Sequence, residues 1–154
     1  MRKLLCLLTL LLFATPLFAS DPLAGTWTLN TAKTKYTTGT PPKNITLVIE
    51  EQGPNLQVTA TGTSSDGSPI SVKYTVPITG GTGSVQAGAT GDANGITSKR
   101  VSANVRDNSY TKDGKELRTR HFVVSKDGKT MTSKVKGTNA NGSPVDGTDV
   151  YDKQ

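Results

Sequence analysis

Short runs of β-branched and aromatic residues, punctuated by tight-turn dipeptides at a spacing of roughly 8 to 12 residues, constrain this chain more than any other feature. Leu56, Val58 and Ala60 alternate with Gln57, Thr59 and Thr61. Ile70, Val72, Tyr74 and Val76 alternate with Ser71, Lys73 and Thr75, and Ile45, Leu47 and Ile49 keep the same period. Successive strand side chains point to opposite faces, so each run reads as a strand with one buried face. Asp66-Gly67, Asp113-Gly114, Asp127-Gly128 and Asn141-Gly142 supply the positive φ that tight hairpins demand. No stretch after residue 20 carries a helical period. The expected fold is all-β, an antiparallel up-and-down meander of about eight to ten strands.

The core available to such a meander is thin. From Ser20 onward, Leu, Ile, Val, Phe, Met and Trp number only 25 of 135 residues. An open sheet would leave two edges exposed, and a sandwich would have two full inner faces to fill. Closure into a small barrel or a strongly coiled sheet satisfies both constraints. The stretch 62–70 (GTSSDGSPI) recurs as 137–145 (GTNANGSPV), an offset of 75 that also places Leu47 and Ile49 on Phe122 and Val124. Matching strand phases point to a duplicated three-strand unit; convergent turn chemistry is the alternative.

Residues 1–19 read as a secretory signal, with Met1-Arg2-Lys3 ahead of an apolar run from Leu4 to Phe13 and a small residue, Ala19, at the cut. The run is too short to span a membrane and no basic stop follows it. Residues 20–154 are then one exported domain, periplasmic or secreted, with no transmembrane segment left. The single cysteine, Cys6, lies in the leader, which excludes a disulfide, a cysteine metal site and a cysteine nucleophile. One histidine, His121, excludes a multi-histidine zinc site. Arg2 and Lys3 account for two of the net charges, so +6 becomes +4 after cleavage. The basic residues are scattered, without the interleaved aromatics that nucleic-acid binding requires, which leaves an ordinary solubility charge or weak contact with an anionic envelope surface.

Gly25-Thr26-Trp27, opening the first strand, resembles the Gly-x-Trp of lipocalin-type (calycin) barrels. The run from Gly25 to Lys35, the Ser125-to-Thr130 hairpin and Lys99-Arg100 are similar to small exported bacterial proteins of unknown function. The resemblance implies a barrel whose closed end is covered by Trp27 above Gly25, and by analogy a lipophilic ligand. The chain departs from lipocalins in having no cysteine pair, no C-terminal helix and no arginine in the last strand to cap Trp27.

Candidate site residues follow from strand phase. If the repeat holds, Phe122 and Val124 point inward, and period two sends Arg118 and Arg120 to the same face. Asp149 then faces inward beside Tyr151 and aligns with Tyr74. Two guanidiniums, a carboxylate and two phenols suit an anionic head group, since the planar guanidinium fork binds carboxylate or phosphate bidentately. The alternative is a structural ion pair at the barrel rim, half exposed and contributing ~0–1 kcal/mol. His121 falls on the outer face, and Glu50-Glu51 reads as a solvated hairpin shoulder. No nucleophile, base and orienter can be assembled, and no catalytic residue, metal ligand or cofactor is expected. Gly80-Gly81-Thr82-Gly83 lacks the lysine and helix of a phosphate loop, so residues 79–95 read mostly as a long mobile loop, with a weak edge strand near Val85. Residues 31–43 read as a second long connection. The functions left are an exported barrel binding an apolar or amphiphilic small molecule, and a non-catalytic envelope module with a packed interior.

Overall fold

The computed structural model describes residues 20–86 and 93–154 of the chain; the expected secretory signal, residues 1–19, lies outside them. Twelve strands form one antiparallel sheet: β1 (Gly25–Leu29), β2 (Lys35–Thr38), β3 (Asn44–Gln52), β4 (Asn55–Thr63), β5 (Pro69–Pro77), β6 (Gly80–Thr82), β7 (Ser84–Val85), β8 (Gly95–Arg100), β9 (Val105–Lys112), β10 (Lys115–Val124), β11 (Thr130–Thr138) and β12 (Pro144–Lys153). The order is β6-β8-β9-β10-β11-β12-β1-β3-β4-β5-β7, with β2 also on β12. The first strand thus lies between the last strand and β3, which joins the two ends of the meander.

Closure comes from the segment expected to be mostly loop. Residues 80–82 pair with β8, and residues 84–85 pair with β5, so one short stretch stitches the two outer strands into a nearly closed barrel. Gly83 lies at the changeover and donates its N–H to the Ile96 carbonyl at 2.9 Å. A Cβ there would stand 2.3 Å from the Thr75 carbonyl oxygen and 2.7 Å from Val76 Cγ1, so only glycine lets the two edges approach. The glycines that made the segment look like a loop are what allow it to close the sheet. Residues 87–92, the rest of that expected loop, lie outside the described residues.

Three short strands, β2, β6 and β7, take the count above the expected range. β2 stops before Gly39 and the two prolines, and pairs β12 at Tyr36↔Gly147. The offset of 75 is visible in the register. β4 and β5 pair as Asn55↔Pro77 through Thr63↔Pro69, and β11 and β12 repeat this 75 positions later, as Thr130↔Asp152 through Thr138↔Pro144. Between β3 and β4 the turn holds two residues, with Gln52↔Asn55. Between β10 and β11 it is longer, with Val124↔Met131, so the second unit is shifted there by two residues and keeps its inward phase.

The barrel has a base and a mouth. At the base Trp27, Leu56, Val76, Ile96 and Met131 are completely buried. The 20–24 segment folds across this end; Leu23 is buried and its carbonyl accepts a 2.8 Å bond from Trp27 Nε1–H. Lys153 crosses Gly25 and places Nζ 4.9 Å from the Trp27 ring centroid, so a lysine provides the cation over the indole. Glu51 is more than a solvated shoulder: it accepts bonds from the Ser20 hydroxyl and the Asp21 N–H, and these hold its carboxyl below the usual range. The mouth is formed by the loop 39–43 and the turns 64–68, 113–114 and 139–143.

Candidate functional site: the barrel lumen

A cavity of ≈ 230 Å³ runs inside the barrel to the mouth, where Thr40, Pro42, Ser64, Ser65, Asn139 and Ala140 border it. Its two sides differ because the strands that build them differ in sequence. β3, β4 and β5 alternate aliphatic with polar residues and turn Ile45, Leu47, Val58 and Val72 inward. β9, β10 and β12 keep the same alternation but place polar side chains on the inner phase: Asn108 and Tyr110, Arg118 and Arg120, Asp149 and Tyr151. The lumen therefore has an apolar wall facing a polar one.

All five residues singled out by phase come to this interior. Asp149 is fully buried and accepts from Arg120 Nη1 at 2.7 Å, from the Tyr36 hydroxyl at 2.9 Å and from the Tyr151 hydroxyl at 3.4 Å. Arg120 reaches from β10 across β11 because the intervening inward residue, Ser133, is small and itself accepts a 2.9 Å bond from the same nitrogen. Arg118 lies nearer the mouth, bonded to the Thr138 carbonyl at 3.2 Å and 5.3 Å from the Tyr110 ring centroid. Tyr74 stands edge-on to Tyr110 with their centroids 5.9 Å apart, and the two hydroxyls share a 3.2 Å bond.

The Arg120–Asp149 pair is inside the barrel rather than half exposed at its rim; the Arg120 side chain is 19% accessible and that of Asp149 0%. Burial opposes the Arg120 charge, but Asp149 and the surrounding phenols more than offset it, and the guanidinium pKa is raised well above its ordinary value. Burial, and then the charge of Asp149, pushes the Tyr36 and Tyr151 hydroxyls up, and burial does the same to Tyr74. These phenols are neutral donors at any physiological pH.

Four further residues belong to this interior. Tyr36 sits on β2, and its ring lies on Gly147, where a Cβ would stand 2.3 Å from Tyr36 Cδ1. Tyr110 and Ser133 complete the bonds just described. Asn108 is 3% accessible, lines the cavity opposite Arg120 in the register, and its Oδ1 has no hydrogen-bond partner. Tyr110, Asn108 and Ser133 were readable by extending period two through β9 and β11; Tyr36 carried no such signal.

At the base Arg106, one of the scattered basic residues, is buried and donates to the Pro77 and Ile78 carbonyls and to Ser98 Oγ, at 3.1, 2.6 and 2.8 Å. Desolvation lowers its pKa, with Asp21 Oδ2 at 3.9 Å opposing that. Outside, His121 is exposed and its Nδ1 contacts Asp107 Oδ1 at 2.5 Å, directly across the β9–β10 register. Lys134 and Lys136 are exposed on β11. Among the described residues no helix is long and apolar enough to cross a membrane, and no cluster of three or more His, Cys, Asp or Glu is placed to hold a metal.

No protein-family model matches the chain, and no curated protein matches it. Among solved structures the chain is similar to a redesigned β-barrel, mFAP1, bound to DFHBI, at 16% identity over 86% of this chain and 95% of that one, with a TM-score of 0.43.

Proposed function

We propose that this protein is a small exported barrel that binds, without turnover, an apolar or amphiphilic small molecule in its lumen. The observation that carries the reading is the ≈ 230 Å³ cavity with its two unlike walls. A barrel of this size is wide enough either to be filled by side chains or to hold one small ligand, and a packed interior was the premise of the envelope-module alternative. A dry cavity of about 150 Å³ is enough to take up benzene, so this one has room for a single ring with a short substituent. Ile45, Leu47, Val58 and Val72 offer the apolar surface, and the tyrosines, Arg118 and Arg120 offer polar contacts at fixed positions. Export rests on the leader sequence, and likeness to lipocalins on Gly25-Thr26-Trp27 together with the Trp27 base.

The test is methyl NMR of the protein titrated with benzene. Shifts at Leu47, Val58 and Val72, abolished in an Ala60→Trp variant that fills the lumen, are expected. Shifts confined to surface methyls would remove the reading.

A further inference from the structure

The polar wall is nearly self-sufficient, and what it leaves over specifies the ligand. Arg120 and Asp149 meet each other, and both remaining Asp149 contacts are phenols that donate to it. The deep lumen therefore presents no bare charge at this pair. Beside the Arg118 guanidinium nearer the mouth, two uncharged hydrogen-bonding capacities remain at the cavity wall. Asn108 Oδ1 is an acceptor buried at the cavity wall with no partner in the protein. The Tyr74–Tyr110 hydroxyl pair carries two protons and uses one in its mutual bond. A buried acceptor left unmet is costly, so a ligand that brings a donor to Asn108 gains over one that does not.

We infer that the lumen selects a small neutral molecule bearing a hydroxyl, such as a short-chain alkylphenol or alcohol of about ten heavy atoms, with the hydroxyl on Asn108 and the hydrocarbon on the β3–β5 wall. A hydroxyl has a proton to donate to Asn108 Oδ1 and lone pairs to accept a phenolic proton. A carboxylate has no proton to donate and would enter beside the buried Asp149. The inference rests on the proposed binding role of the lumen and adds the chemistry of the ligand's head.

Isothermal titration calorimetry with three probes of similar size tests it: 4-propylphenol, propylbenzene and 4-propylbenzoate. The phenol is expected to bind about tenfold tighter than propylbenzene, the equivalent of one hydrogen bond, and tighter than the benzoate. In Asn108→Leu, similar in shape but without the acceptor, the phenol should lose its advantage over propylbenzene while propylbenzene keeps or improves its affinity. Equal binding of phenol and propylbenzene to the unmodified protein would overturn the inference and leave the lumen a generic apolar site. Tighter binding of the benzoate would overturn it in favour of an anionic ligand. Binding of none of the three would remove the proposed function together with the inference. The comparison among probes needs no variant, so a failure of Asn108→Leu to fold does not affect it.

Discussion

Asp149 has no access to solvent, yet it is held by one guanidinium and two phenolic hydroxyls from β10, β2 and its own strand. A buried ion pair of this kind adds little net stability over an apolar pair of the same volume, but removing one partner leaves an uncompensated charge. Asp149→Leu should therefore destabilise the protein by about 3–5 kcal/mol in urea denaturation, and Arg120→Met with Asp149→Leu should recover most of the loss. A loss within about 1 kcal/mol for the single variant would match the weak rim pair that the sequence also allowed. At this scale the sequence was readable wherever period two held: Arg118, Arg120, Asp149, Tyr151 and Tyr74 were all found on the inner phase. Arg106 and Asn108 obey the same period on β9 and were missed because that run contains few aliphatics to mark which phase is buried. Tyr36 could not be found this way. Its strand has four residues in a threonine-rich stretch, and its position depends on pairing with β12, more than a hundred residues away.

Elements with their own side-chain pattern and turn chemistry were legible; elements made by backbone alone were not. The β4–β5 and β11–β12 hairpins share one register because both turn on the same Ser/Asn-x-x-Gly-Ser frame, bonded as Ser64 N–H to Ser68 O and Asn139 N–H to Ser143 O, each at 2.9 Å. The pairing of 80–85 with β8 and β5 uses main-chain groups, and glycine leaves no side-chain period from which to read it. That seam predicts a contrast. Gly142→Ala meets nothing within 4 Å and bears only the strain of φ +80°, about 1 kcal/mol. Gly83→Ala drives a methyl into the Thr75 carbonyl and Ile96, so it should cost more and part the edges. Hydrogen exchange checks this: protection at the Gly83 and Gln86 amides, which bond to Ile96 O and Lys73 O, should fall in Gly83→Ala and persist in Gly142→Ala. Equal protection in both would mean that the seam does not depend on the close approach.

Over the whole molecule, closure into a barrel was predictable from a core too thin for two layers, but whether the barrel was full was not. That depends on how the inward residues divide. Modest side chains such as Ile45, Val58, Ala60 and Val72 leave the cavity open toward the mouth, while Trp27, Leu56, Met131 and Tyr151 fill the base. The molecule is thus a plugged cup with an apolar side and a polar side, and holding a small molecule is the use its interior best supports. Native mass spectrometry of the protein purified gently from its own host tests this most directly. The predicted result is a reproducible added mass on the order of 150 Da, the scale of about ten heavy atoms, which is lost on denaturation and absent from the lumen-filled Ala60→Trp variant. A bare chain, with no mass beyond that of its own sequence, would contradict it.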